Sequence, residues 1–200
     1  MDISHHNGDV NWAQLKNEGI AFAYIKATEG VSHKDRSYKD NYPAAKLADI
    51  KVGTYHFYTF GLDGEKQANH FIKQANVAAD DLIPMIDVEH SSYNRHSWDK
   101  NYEKLVIDEL KKMEQVMFDY YGVHPIIYTN RDCYKLYIKG HLTENLIWMS
   151  DLHNEPCIDD NEWVIWQFSH TGRLNGVKGD VDLNYFRYSY RRFVELKVKN

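Results

Sequence analysis

Six apolar runs of strand length, rich in β-branched residues, occur at 21–27, 52–57, 82–88, 125–129, 146–149 and 163–168. A run with no polar side has no face to give to water, so each belongs in a sheet covered on both faces. Between the early runs lie segments of helical period: a short one from Trp12, one over 42–48, and one that sets Ala68, Phe71, Ile72 and Ala75 on a single face. The clearest follows Asp99. There Tyr102, Leu105, Val106, Leu110, Met113, Met117 and Tyr120 recur at steps of three and four, with Asp99 as N-cap and Gly122 as the stop. Strands alternating with helices are βαβ units, and these build a parallel sheet.

After about Asn130 the alternation breaks, because the runs at 146 and 163 are joined by short polar connections with little room for full helices. Counting Asp2-Ile3 and the segment at Val181-Asp182 gives eight candidate strands. No glycine-rich phosphate turn follows any of them, which argues against an open dinucleotide-binding sheet. The expected fold is α/β: a modified (β/α)8 barrel with an irregular last third, five βα units and then short β segments. With no linker, repeat or low-complexity tract, residues 1–200 read as one catalytic domain.

Composition excludes several functions. Lysines and arginines number 24 against 29 acids, a net charge of −5, so the chain lacks the basic face that nucleic acid requires. No apolar run approaches the roughly 20 residues of a membrane span. Fifteen Tyr, eight Phe and five Trp serve a large core and also suit sugar binding, where ring faces stack on C–H surfaces. Cys133 and Cys157 lack motif spacing and read as free thiols rather than a disulfide. No cofactor is implied. The 11 histidines include His5-His6 and His90, but neither a His-Glu-x-x-His pattern nor a Cys/His cluster is present, and on a strand adjacent histidines would face apart.

The chemistry concentrates at Pro84-Met85-Ile86-Asp87-Val88-Glu89-His90. Residues i and i+2 of a strand share a face, so Asp87 and Glu89 point together with Cα atoms about 6.6 Å apart. Repulsion and partial burial then raise at least one carboxyl pKa, which keeps a proton available near neutral pH. In a closed barrel other strand ends fall on the same rim: Asp2, Lys26 and Glu29, Tyr55, Tyr128, Trp148, Gln167 and Asp182. Taken singly, each has a plain structural reading, such as an ion pair between Lys26 and Glu29 or a core histidine at His56.

These residues together resemble a known family, the glycoside hydrolase family 25 lysozymes, or Chalaropsis-type muramidases. The similarity is carried by Asp2-Ile3-Ser4, Asn7-Gly8 and Trp12; Lys26-Ala27-Thr28-Glu29-Gly30; Gly53-Thr54-Tyr55-His56-Phe57; Gln67-Ala68; Asp87-Val88-Glu89; Tyr128-Thr129; Trp166-Gln167-Phe168; and Val181-Asp182-Leu183-Asn184. The resemblance implies cleavage of the β-1,4 bond between N-acetylmuramic acid and N-acetylglucosamine in bacterial peptidoglycan. It implies Glu89 as the acid, Asp87 as its partner, and Asp2 and Asp182 as further acids of the cleft. Tyr55 and Tyr128 would line sugar subsites, with Trp148, Lys26, Glu29 and Gln167 as further substrate contacts. Trp148 leads into Met149-Ser150-Asp151-Leu152, where the family has a small residue and then an aromatic, so one sugar contact is expected to be absent or supplied from elsewhere. A wall polymer as partner implies a monomer acting outside the cell or in its envelope, with an export leader trimmed from in front of Asp2.

Two routes stay open for the second half of the reaction. A carboxylate can act as nucleophile or base, or the substrate's 2-acetamido oxygen can attack while Asp87 orients its N–H. An inactive wall-binding protein on the same barrel and a chitinase-like N-acetylglucosaminidase are the alternative functions.

Overall fold

The computed structural model describes residues 1–198. The strands are β1 (Asp2–Ile3), β2 (Phe22–Glu29), β3 (His33–Lys34), β4 (Lys51–Phe57), β5 (Met85–Val88), β6 (Ile126–Asn130), β7 (Ile147–Ser150), β8 (Trp163–Gly172) and β9 (Val181–Phe186). They form one sheet in the order β1-β2-β4-β5-β6-β7-β8-β9, with β3 a short antiparallel flap on the end of β2. Apart from that flap, neighbours along this order run parallel from β1 to β8, and β8 and β9 are antiparallel. Strand β9 comes back beside β1, so the sheet curls into a nearly closed barrel. The irregular last third is therefore a hairpin that replaces a final βα unit.

The helices are α1 (Trp12–Asn17), α2 (Tyr38–Leu47), α3 (Gly64–Gln74), α4 (Lys100–Tyr121), α5 (Arg131–Cys133) and α6 (Tyr190–Phe193), with a 3-10 turn at His5–Asn7 and a π turn at Tyr134–Ile138. Helix α4 keeps its expected cap and stop, since the Asp99 carboxylate accepts from the Asn101 amide and Gly122 ends the helix in the left-handed region at φ +68. Of the expected stripe, Val106, Leu110, Met113 and Met117 are buried, while Leu105 and Tyr120 face solvent at its edge. Helix α2 begins at Tyr38, four residues ahead of the periodic pattern, with Pro43 inside it.

Two apolar layers follow from strand alternation. Ile25, Val52, Ile86, Ile127 and Met149 face outward, where Leu15, Ala45, Phe71, Leu110 and Met113 of the helices cover them. Phe22, Tyr24, Met85, Ile126, Trp148 and Ile165 face inward and fill the barrel. Phe193 and Leu196 belong to this inner layer, and the Phe193 ring lies 5.1 Å from Phe22. The chain thus plugs the mouth at the strands' N-terminal ends and leaves open the mouth where the carboxyl ends converge, the usual position of a barrel's active site. Cys133 is a buried free thiol and Cys157 an exposed one.

Candidate active site

At the open mouth lies a cleft of about 680 Å³ lined by Asp2, Lys26, Glu29, Tyr55, Asp87, Glu89, Tyr128, Gln167 and Asp182, among others. These strand-end residues, far apart in sequence, are brought together by barrel closure. Asp87 is buried and its Oδ1 has no hydrogen-bond partner. Desolvation, and then the neighbouring Glu89 charge, push its pKa well above the ordinary carboxyl value. Glu89, half-buried just beyond the end of β5, is raised to about 7 by desolvation and by Asp2. Asp182 is raised to about 8 by desolvation and by the adjacent Asp2 carboxylate. Lys26 opposes the rise at both Asp87 and Glu89.

The position of Lys26 depends on a flaw in the ladder. In β2 the register slips between Lys26 and Thr28, so that Lys26 pairs with Tyr55 and Thr28 with His56. A regular strand would send residues i and i+3 to opposite faces. The bulge returns Glu29 to the cleft, where its carboxylate accepts from Lys26 Nζ at 2.7 Å. The same slip turns Thr28 outward to bond His56 Nδ1 at 2.7 Å, while Gln67 Oε1 meets His56 Nε2 at 3.2 Å. His56 is therefore a satisfied core histidine behind the sheet, and burial drives its pKa down to about 3.

The opposite wall is a hydrogen-bonded shelf. Gln167 Oε1 accepts from Tyr128 Oη at 3.0 Å and from Ser150 Oγ at 2.7 Å. Desolvation holds the Tyr55 and Tyr128 hydroxyls protonated, with pKa values well above the phenolic one.

Trp148 departs from expectation. It is fully buried and contributes nothing to the cleft wall. Strand β7 runs on to Ser150, which takes the rim position two residues further along, and the indole leans down onto Tyr24 at 5.0 Å. Its Nε1 donates to Asn184 Oδ1 at 2.9 Å, and Asn184 Nδ2 donates to Asp2 Oδ2 at 2.8 Å. Trp148 acts beneath the floor, through Asn184, on an acid of the cleft.

The cleft and its floor add residues to which the sequence analysis assigned no site role. Ser150 and Asn184 were accessible to it, since each lies two positions after a singled-out residue on the same strand face. Ser91, Ser92 and Tyr93 line the cleft from the loop after β5, His6 from the turn after β1, and His170 from the far end of β8. Nothing periodic marks a loop or a turn, so Ser91, Ser92, Tyr93 and His6 carried no signal. His5 and His6 lie in the 3-10 turn rather than on a strand, with ring centroids only 3.9 Å apart, and His5 Nδ1 is paired with Asp35 at 2.7 Å. Among the described residues no group of three or more His, Cys, Asp or Glu is disposed to hold a metal ion. No described helix is long and apolar enough to cross a membrane.

Two carboxyls of raised pKa, Asp87 buried and Glu89 half-buried, in an open groove lined by tyrosines are equipped for acid catalysis. The profile described as "Glycosyl hydrolases family 25" matches residues 1–177. The chain belongs to this family. It is a glycoside hydrolase, with a sheet and barrel like those of its relatives. Among these, Lysozyme M1 of Streptomyces globisporus is 30% identical over 98% of this chain and 70% of its own length. The N,O-diacetylmuramidase of Chalaropsis is 27% identical over 91% of this chain and 94% of its own. Among solved structures, a family 25 glycosyl hydrolase from Bacillus anthracis superposes with a TM-score of 0.90 at 32% identity, covering 97% of this chain and 90% of that one.

Proposed function

We propose that this family 25 hydrolase is a muramidase that cuts the β-1,4 bond between N-acetylmuramic acid and N-acetylglucosamine in peptidoglycan, outside the cell membrane. The names of its relatives supply the substrate class. The observation that carries the mechanism is the unpartnered, buried Asp87 Oδ1 beside a Glu89 whose pKa is raised to about 7.

Burial and mutual repulsion make the two carboxyls hold a proton near neutral pH. An acetamido N–H arriving at Asp87 Oδ1 gives that acceptor its missing donor and favours the ionised form of Asp87, leaving the proton on Glu89. Glu89 then donates to the leaving glycosidic oxygen. Oriented by Asp87, the acetamido oxygen attacks the anomeric carbon as that bond breaks, and water later opens the resulting ring with Glu89 as base. Asp2 adds negative potential where positive charge develops on the sugar, and Asp182, raised to about 8, joins it as pH rises. Tyr55 and Tyr128 offer ring faces and protonated hydroxyls to the flanking sugars.

The test is digestion of purified peptidoglycan by the wild type and by Glu89→Gln, with fragments reduced by borohydride and identified by mass spectrometry. Reduced muramic acid ends, absent with a folded Glu89→Gln, are expected. Reduced glucosamine ends would make the enzyme a glucosaminidase, and wall binding without cleavage would make it an inactive binder.

A further inference from the structure

The segment between β5 and α4 has two sides. Ser91, Ser92 and Tyr93 line the cleft. On the other side His90, His96 and Trp98, with Asp132, Lys135 and Leu136, enclose a second open cavity of about 420 Å³. Trp98 is 89% exposed and Tyr93 79%, the two most exposed aromatic side chains among the described residues.

The rings form a ladder rather than a core. Trp98 stands edge-on to His96 at 4.4 Å, and His96 edge-on to His90 at 5.5 Å. His90 is held in turn by Phe60 at 5.9 Å. The segment is pinned at its centre by Asn94, fully buried, whose side chain binds the Phe60 amide and the Tyr58 and Glu89 carbonyls. An indole so exposed adds little to folding, yet here it is displayed ten residues beyond the catalytic strand's end, on a loop fastened by Asn94.

We propose that this outer face is a second saccharide-binding site, which takes a sugar unit of the wall polymer outside the cleft. The inference rests on the reading of the cleft as a peptidoglycan hydrolase. A pyranose has an apolar C–H face and a polar edge, and the cavity answers both: the Trp98 ring for the face, Asp132 and Lys135 for the edge. A protein partner would require a broad apolar patch, whereas the residues flanking Trp98 are His96, Ser97, Asp99 and Lys100, all polar. The occupant is polymeric because the two sites share one loop. A strand bound in the cleft beside Tyr93 and held again at Trp98 is tethered at two points of one loop, and the second point raises its local concentration at the first.

The experiment uses purified insoluble peptidoglycan stripped of attached polymers, and a soluble tetrasaccharide made from it. In a Glu89→Gln background, Trp98→Ala is expected to weaken cosedimentation with the insoluble polymer by about three- to tenfold, as loss of one stacking contact implies. Lys135→Ala should weaken it less. In the active enzyme Trp98→Ala is expected to raise KM on the insoluble polymer and leave kcat/KM on the tetrasaccharide unchanged. Equal sedimentation with and without Trp98 overturns the proposal. A matching loss on the tetrasaccharide overturns it too, since Trp98 would then serve the cleft. If the parent enzyme releases no fragments from either substrate, the reading of the cleft fails, while sedimentation still decides the second site.

Discussion

Lys26 acts on two carboxyls at once, and its effect has a definite sign. The ammonium draws the pKa of both Asp87 and Glu89 downward, against desolvation. An enzyme that needs Glu89 protonated loses kcat/KM as pH rises through its value of about 7. Lys26→Met removes the opposing charge, so the alkaline limb should move to higher pH, by about one unit. A pH-rate profile on a soluble fragment measures this directly, and an unmoved limb would mean that another group supplies the proton. Asn184 gives a second prediction. It donates to Asp2 and accepts from Trp148 Nε1, so Asn184→Leu frees Asp2 to turn and strands a buried indole N–H. We expect kcat to fall by on the order of tenfold, and Trp148→Phe, which leaves Asn184 able to reach Asp2, to cost less. Equal losses in the two variants would argue that the indole itself, not its hold on Asn184, is what matters.

At the scale of elements, the loop after β5 is held by one side chain. Replacing Asn94 by Ala leaves the Phe60 amide and the Tyr58 carbonyl without their partner in a buried setting, which should cost on the order of 3 kcal/mol. Urea unfolding checks the loss, and kcat should fall with it because the same side chain bonds the Glu89 backbone. The contact between α3 and α4 is equally tight: a Cβ on Gly64 would lie 1.8 Å from the Glu109 carbonyl oxygen. Gly64→Ala should therefore force the helices apart at a cost of about 1–3 kcal/mol, read as a lower urea midpoint with unchanged pH-rate behaviour. The contrast between these elements explains what the sequence could disclose. Helix α4 was legible because its cap, stripe and stop all lie within one local period. The inward pair Asp87 and Glu89 was legible for the same reason, since alternation is local. The β2 bulge that brings Glu29 back to Lys26 leaves no local mark, because both registers satisfy the apolar pattern. Trp148 was misplaced by a related ambiguity: its face was right, but depth in a barrel depends on where the strand ends, and β7 ends two residues later at Ser150. The antiparallel return of β9 is likewise decided by closure against β1 rather than by any pattern within residues 181–186.

For the whole molecule, the acids that equip the cleft oppose the fold, and this opposition depends on pH. Asp182 and Glu89 have folded-state pKa values raised to about 8 and about 7. In the unfolded chain such groups titrate near 4. A carboxyl raised on folding takes nothing from stability below its unfolded pKa, where both states are protonated. As pH rises through the folded value, the folded state must ionise a group that burial and Asp2 disfavour, and stability falls. The protein should thus lose stability between about pH 4 and pH 9 through these groups, opposite in sign to a protein whose acids are salt-bridged. Asp182→Asn removes one ionisation and keeps the side chain's size. Its melting temperature should match the wild type near pH 4 and exceed it near pH 9 by about 4 °C or more, at the 2–4 °C per kcal/mol expected for a chain of this length. Activity of the same variant should fall below the wild type chiefly as pH approaches 8 and above, where Asp182 ionises, since the charge that destabilises the empty cleft is the one that would favour a cationic sugar within it. Melting curves at the two pH values decide the matter: a gap of equal size at both would assign the effect to packing at β9, and only a gap that opens with pH assigns it to the carboxyl.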